Sequence, residues 1–136
     1  MKPPDENPRL KLVTEWLFKA GQDIRSAETL LSQDPPLLFP SCFHSQQAAE
    51  KYLKALLTLW GVEVPKTHDL GKLLQLIESH NARLAGGLVD AVILNAYAVD
   101  ARYPGEHPEA SEEEARQALG LAYQIRAAIM PLLPSR

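Results

Sequence analysis

The segment Arg102-Tyr103-Pro104-Gly105-Glu106-His107 holds a fixed cation and a titratable imidazole with four residues between them. A guanidinium is planar, stays charged at physiological pH and matches phosphate oxygens two at a time. An imidazole exchanges protons near neutrality, which is what general acid–base catalysis requires. Together they suit metal-free cleavage of an RNA phosphodiester. The imidazole would take the proton of a 2'-hydroxyl or give one to the leaving 5'-oxygen, while the guanidinium holds the scissile phosphate and offsets its growing charge. One histidine cannot fill both proton-transfer roles at once; a second copy across a homodimer interface, or water, can take the other, which favours a symmetric cleft where two copies of the segment face each other. A plain structural reading stands beside this one. Arg102 closes a predicted helix, where a cation is favourable. Glu106, Glu109, Glu112, Glu113 and Glu114 follow closely enough to form an ionic cluster with it.

A second set of polar residues lies upstream. His44, Gln47, Lys51, Lys54 and Thr58 recur at three- and four-residue steps, forming one stripe on an otherwise apolar helix. His44, Gln47, Lys51 and Lys54 are therefore candidates for lining a nucleotide or RNA phosphate path, with Tyr103 beside Arg102 directing a hydroxyl into it. The alternative is that His44 faces solvent and the lysines only solubilise. Asp23 can pair with Lys19 or meet a cation from another helix, Glu50 can pair with Lys54, and His68 reads as a capping or interhelix hydrogen-bonding residue.

Other chemistries find little support. His44, His68, His80 and His107 are dispersed, with no HExxH arrangement and a single cysteine, Cys42, so no metal and no cofactor are expected. Gly86-Gly87 lacks the residues of a phosphate loop, and no serine sits in a strand–turn–helix setting. Among 136 residues, 14 Lys and Arg face 17 Asp and Glu, for a formal net charge of -3. Any attraction for nucleic acid must then come from a local patch. One cysteine, a polar proline-rich start and no long apolar run lead to the expectation of a cytoplasmic protein with no membrane span.

The elements that must position these groups read as helices. Residues 1–8, with three prolines, form an N-terminal arm, and residues 9–133 a single domain. Leu10, Val13, Leu17, Ala20, Ile24, Ala27 and Leu31 share one face of a first helix over 9–31. Asp34-Pro35-Pro36 ends it, and the loop runs through Pro40. Ser41 caps a second, central helix over 41–60, stopped by Gly61. Thr67 begins a third, with Leu70, Leu73, Leu74 and Ile77 inside, and His80-Asn81 turns the chain. Gly86-Gly87 marks a kink before a fourth helix over 88–102, with Leu88, Ala91, Val92, Asn95, Val99 and Arg102 near one side. Ser111 and Glu114 form a capping box for a fifth, whose inner face is Ala115, Ala118, Leu119, Ala122, Ile125 and Ile129. No stretch alternates as a strand, so the expected fold is all-α, an antiparallel up-and-down bundle of about five helices.

Four blocks carry a resemblance: 20–31 (AGQDIRSAETLL), 42–57 (CFHSQQAAEKYLKALL), 65–70 (PKTHDL) and 101–104 (ARYP). In order and spacing the chain resembles the HEPN superfamily, the "higher eukaryotes and prokaryotes nucleotide-binding" domain, over roughly 12–130. The resemblance implies a helical bundle that commonly forms a homodimer. It also implies a metal-independent endoribonuclease, often a toxin, in which Arg102 and His107 of two subunits meet at the interface with His44 and Lys51 as lining. Small members are often encoded beside a minimal nucleotidyltransferase that serves as antitoxin or partner. One branch carries a tyrosine two residues beyond the motif histidine as an AMP acceptor. Here that position is Glu109, which rules out AMP transfer there and places the chain nearer the stand-alone branch. Members without nuclease activity act as nucleotide-binding or assembly modules, the alternative reading for this chain.

Overall fold

A computed structural model describes residues 7–99 and 109–134. The described residues form five α-helices, α1 (Pro8–Leu31), α2 (Leu38–Leu59), α3 (Leu70–Glu78), α4 (Ala82–Gly87) and α5 (Glu112–Ile129), with 3-10 segments at Val89–Tyr97 and Met130–Leu132. No strand occurs among them, and the fold is the all-α bundle expected from the sequence.

The Asn7 side chain caps α1 by accepting from the N–H groups of Arg9 and Leu10, and Pro8 takes the first turn, where a missing N–H leaves nothing unsatisfied. Val13, Ala20, Ile24 and Ala27 form its buried face. This face packs on α2, which also touches α3, α5 and the first 3-10 segment and is therefore the central helix. Leu53, Leu56 and Leu57 of α2 are fully buried.

α2 begins three residues before the expected Ser41. Pro40 lies within its first turn, another position where a backbone N–H has no helical partner. Ser41 is no cap: it is buried inside the helix, and its hydroxyl donates to the Ala27 carbonyl of α1 at 2.8 Å. The exit from α2 follows the expectation for Gly61, which has φ 75°. The Gly61 N–H bonds back to Thr58 O and the Val62 N–H to Leu57 O, the paired pattern that closes a helix through a left-handed glycine.

Asp69 rather than Thr67 caps α3, accepting from the Gly71 N–H at 2.9 Å. Thr67 supports it by accepting from the Asp69 N–H at 3.1 Å. Asn95 completes the cap from across the fold, accepting from the Leu70 N–H and donating to Asp69, both at 2.9 Å.

The single fourth helix expected over 88–102 is not what forms. α4 ends at Gly87, and the chain continues as a 3-10 helix from Val89 to Tyr97. The buried residues Leu88, Ala91, Leu94 and Tyr97 step by three, the pitch of a 3-10 helix, whereas Val92 and Val99 face outward. α5 matches the reading closely. Ser111 and Glu114 make the reciprocal capping box, and all six expected inner residues are buried. No helix of the described residues is long and apolar enough to cross a membrane.

Candidate functional site

The polar stripe of α2 turns toward α1 and the α3 approach. Asp23, on the buried side of α1, sits between two groups of α2 spaced by two turns. Its Oδ1 lies 2.8 Å from His44 Nδ1, and its Oδ2 accepts from Lys51 Nζ. Asp23 keeps 10% of its side chain exposed, Lys51 19% and His44 32%. A carboxylate facing Nδ1 makes that nitrogen the donor, so Nε2 of the neutral ring is left as the acceptor. No partner occupies Nε2 among the described residues.

A second cluster adjoins the first on α2. Glu50 accepts from Lys54 Nζ and from His68 Nδ1, both at 2.9 Å. The Gln46 amide donates to the same carboxylate at 3.2 Å and to the His68 carbonyl at 3.1 Å. Glu50 and Lys54 retain 4% and 8% side-chain exposure, whereas His68 is largely open to solvent. Lys54 also lies 5.5 Å from the centre of the Trp16 ring, a geometry that favours a cation over an aromatic face. Both oxygens of this buried carboxylate thus face donors, as burial of a charge demands.

The sequence-derived candidates separate accordingly. His44 and Lys51 are brought together by Asp23. Lys54 is committed to Glu50 beneath the surface, and Gln47, half-buried, donates to Gln46 Oε1 at 2.7 Å. Arg102, Tyr103 and His107 lie outside the described residues. The expected Glu50–Lys54 pair is present; of the two partners open to Asp23 it takes the cation of another helix, Lys51, rather than Lys19; and His68, in the loop before α3, bonds to Glu50 of α2. The described residues on either side of the Arg102–His107 segment are held by the core: Tyr97 packs edge-on against Phe39 with ring centres 5.9 Å apart, and Ala110 is buried next to the Ser111 cap.

One further surface has no counterpart among the sequence-derived candidates. Gln22, Arg25, Ser26, Thr29 and Leu30 share a face of α1, and with His44 they line an open groove of about 480 Å³. Arg25 is exposed and enters no ion pair among the described residues. The i, i+3, i+4, i+7 spacing of these residues is present in the sequence but is overshadowed by the apolar face of the same helix. Elsewhere, no group of three or more His, Cys, Asp or Glu that could hold a metal ion occurs among the described residues.

Comparison with known proteins places the fold. No curated protein sequence matches the chain. The HEPN domain model matches residues 13–131. The crystal structure of TT1696 from Thermus thermophilus superposes with a TM-score of 0.73 at 31% identity, covering 89% of this chain and 98% of the other. That of ST0689, described as an archaeal HEPN homologue, superposes with a TM-score of 0.68 at 24% identity, covering 88% and 96%. The family match spans both polar clusters and reaches from α1 through α5, and the chain belongs to the HEPN domain family.

Proposed function

We propose that this protein is a metal-independent endoribonuclease of the HEPN type, with Arg102 holding the scissile phosphate and His107 transferring the proton. The observation that carries this reading is the Arg102–His107 spacing within a chain of this family. Two other cations named as candidates are already committed to carboxylates. Lys51 and Lys54 of α2 already answer Asp23 and Glu50, so neither is a free cation for a scissile group. The need for both an acid and a base makes a homodimer the working unit, each subunit supplying one histidine. A separately encoded minimal nucleotidyltransferase acting as antitoxin is the partner this reading implies.

The test is incubation of the metal-free protein and its His107→Ala variant with a mixed single-stranded RNA panel. Cleavage by wild type alone, leaving 2',3'-cyclic phosphate ends, is the expected result. Equal cleavage by both proteins would remove His107 from the reaction. A specific observation keeps a second reading in view: the lysines of α2 are neutralised, and Glu112, Glu113 and Glu114 crowd the first turn of α5. Such a surface suits a non-catalytic nucleotide-binding or nucleotidyltransferase-associated module. Absence of cleavage from a folded dimer across the whole panel would favour it.

A further inference from the structure

We propose that the groove between α1 and His44 binds a phosphate monoester, with Arg25 as its principal cation. On α1 the one acidic neighbour of Arg25 at helical spacing is Glu28, three residues on, a separation at which Arg and Glu commonly pair. Glu28 instead accepts a hydrogen bond from the Tyr123 hydroxyl of α5. The next carboxylate, Asp23, is taken by Lys51 and His44. Neither acid pairs with the guanidinium among the described residues, and the fork is left open to the groove.

The remaining lining is of matching chemistry. The Gln22 amide and the Ser26 and Thr29 hydroxyls make no hydrogen bond within the described residues, so three donor groups stand along the same face as Arg25. His44 closes the other wall, with Asp23 fixing its ring through Nδ1 and leaving Nε2 unengaged among the described residues. An arginine fork, an orientable imidazole and a row of neutral donors suit a dianionic tetrahedral group. The volume, about 480 Å³, falls within the range occupied by small-molecule ligands. A free nucleotide and the 5'-phosphorylated end of an RNA present the same group. The inference stands on this groove alone and does not depend on RNA cleavage.

Calorimetric titration of the full chain tests it, using AMP, adenosine, and a short 2'-deoxyoligonucleotide with or without a 5'-phosphate. The deoxy backbone lacks the attacking hydroxyl, so turnover cannot confuse the measurement. Binding of AMP but not adenosine, or of the phosphorylated but not the unphosphorylated oligonucleotide, is expected; whichever phosphorylated probe binds tighter identifies the source. Arg25→Ala should weaken that binding by about tenfold or more, and Arg25→Lys, which keeps the charge but loses the fork, by less. Since Arg25 is exposed and has no ion pair among the described residues, neither variant should move the melting temperature. His107→Ala should bind AMP as wild type does, which separates failure of the nuclease reading from failure of this one. Absence of binding by both phosphorylated probes, indifference to the phosphate, or unchanged affinity in Arg25→Ala would overturn the proposal.

Discussion

Replacing Glu50 by alanine tests whether the buried ionic cluster of α2 is as tightly coupled as its geometry requires. The substitution strips Lys54 of its partner while leaving its ammonium with 8% side-chain exposure, and it removes the acceptor of His68 and Gln46. Removing one member of a buried pair costs about 3–5 kcal/mol, because the other charge is left in a medium that solvates it poorly. Two features place Glu50→Ala near the lower end. Lys54 keeps the Trp16 face, a contact of about 0.5–1 kcal/mol at accessible sites. Its stem also borders the groove lined by Thr58, Gly61 and Val62, toward which the ammonium can shift to reach water. A loss of about 3 kcal/mol, at about 4 °C per kcal/mol for a domain between the small and medium size classes, lowers the melting temperature by about 12 °C. Urea and thermal unfolding followed by circular dichroism give both quantities. The double variant Glu50→Ala/Lys54→Met removes the stranded charge with its partner and should regain more than half of the loss. A Glu50→Ala protein within about 1 kcal/mol of wild type, or a double variant as unstable as the summed singles, would refute the reasoning.

Three further outcomes follow from other contacts. Asn95→Ala removes the acceptor of the Leu70 N–H and a donor to Asp69, and should cost about 1–3 kcal/mol in urea unfolding, with early loss of amide protection in α3. The hydrogen bonds of Ser111 hold the Glu114 carboxyl below its usual range, so its contribution to folding is full above the unfolded-state value and lost as pH falls through the lowered one. Ser111→Ala removes only the hydroxyl's smaller share and should make that acidic limb shallower without abolishing it, because the Ser111 N–H still bonds to Glu114. Burial, reinforced by Glu28 beside it, pushes the Tyr123 phenol above its usual value of 10.0, so its contribution is intact below that value and declines as pH rises through the raised one. In an absorbance titration, Tyr123→Phe should remove one phenol's worth of phenolate signal from the part that ionises above the usual range, and loss from the ordinary range instead would overturn this.

The parts of the fold legible in the sequence are those where local pattern and burial agree. The Ser111–Glu114 box and the apolar steps of α5 fix that helix without help from the rest of the chain. The start of α2 is not legible in this way, because Pro40 and Ser41 carry strong local preferences that first-turn geometry and a long-range bond to Ala27 override. After Gly87 the sequence suggests a period of 3.6, although Leu88, Ala91, Leu94 and Tyr97 repeat at three. That signal is too short to separate from an α-helix without knowing which side is covered. Within the site, Glu50–Lys54 is readable because both partners lie on one helix. Asp23 can be expected to meet a cation, but which two groups of α2 it holds depends on how two helices align, and sequence spacing within each is silent on that. The same holds for Arg25: its freedom rests on Tyr123, 98 positions away, occupying the acid beside it.

The Asp23 bridge also acts as a register pin. Its carboxylate holds two groups of α2 that are seven residues, or two turns, apart. Sliding α1 along α2 by one turn displaces it by about 5.4 Å, far beyond hydrogen-bond reach of the partner it leaves behind. The buried alanines Ala20 and Ala27 of α1, and Ala48 and Ala55 of α2, recur at seven residues, so small apolar side chains alone separate alignments two turns apart only weakly, and in those Asp23 keeps at most one of its partners. A buried salt bridge adds little to stability over a well-packed apolar replacement, but it discriminates sharply between alignments that oily contacts alone leave nearly equal. Asp23 therefore selects which of several ways of zipping the first two helices becomes the native one, and with it the placement of His44 beside the groove.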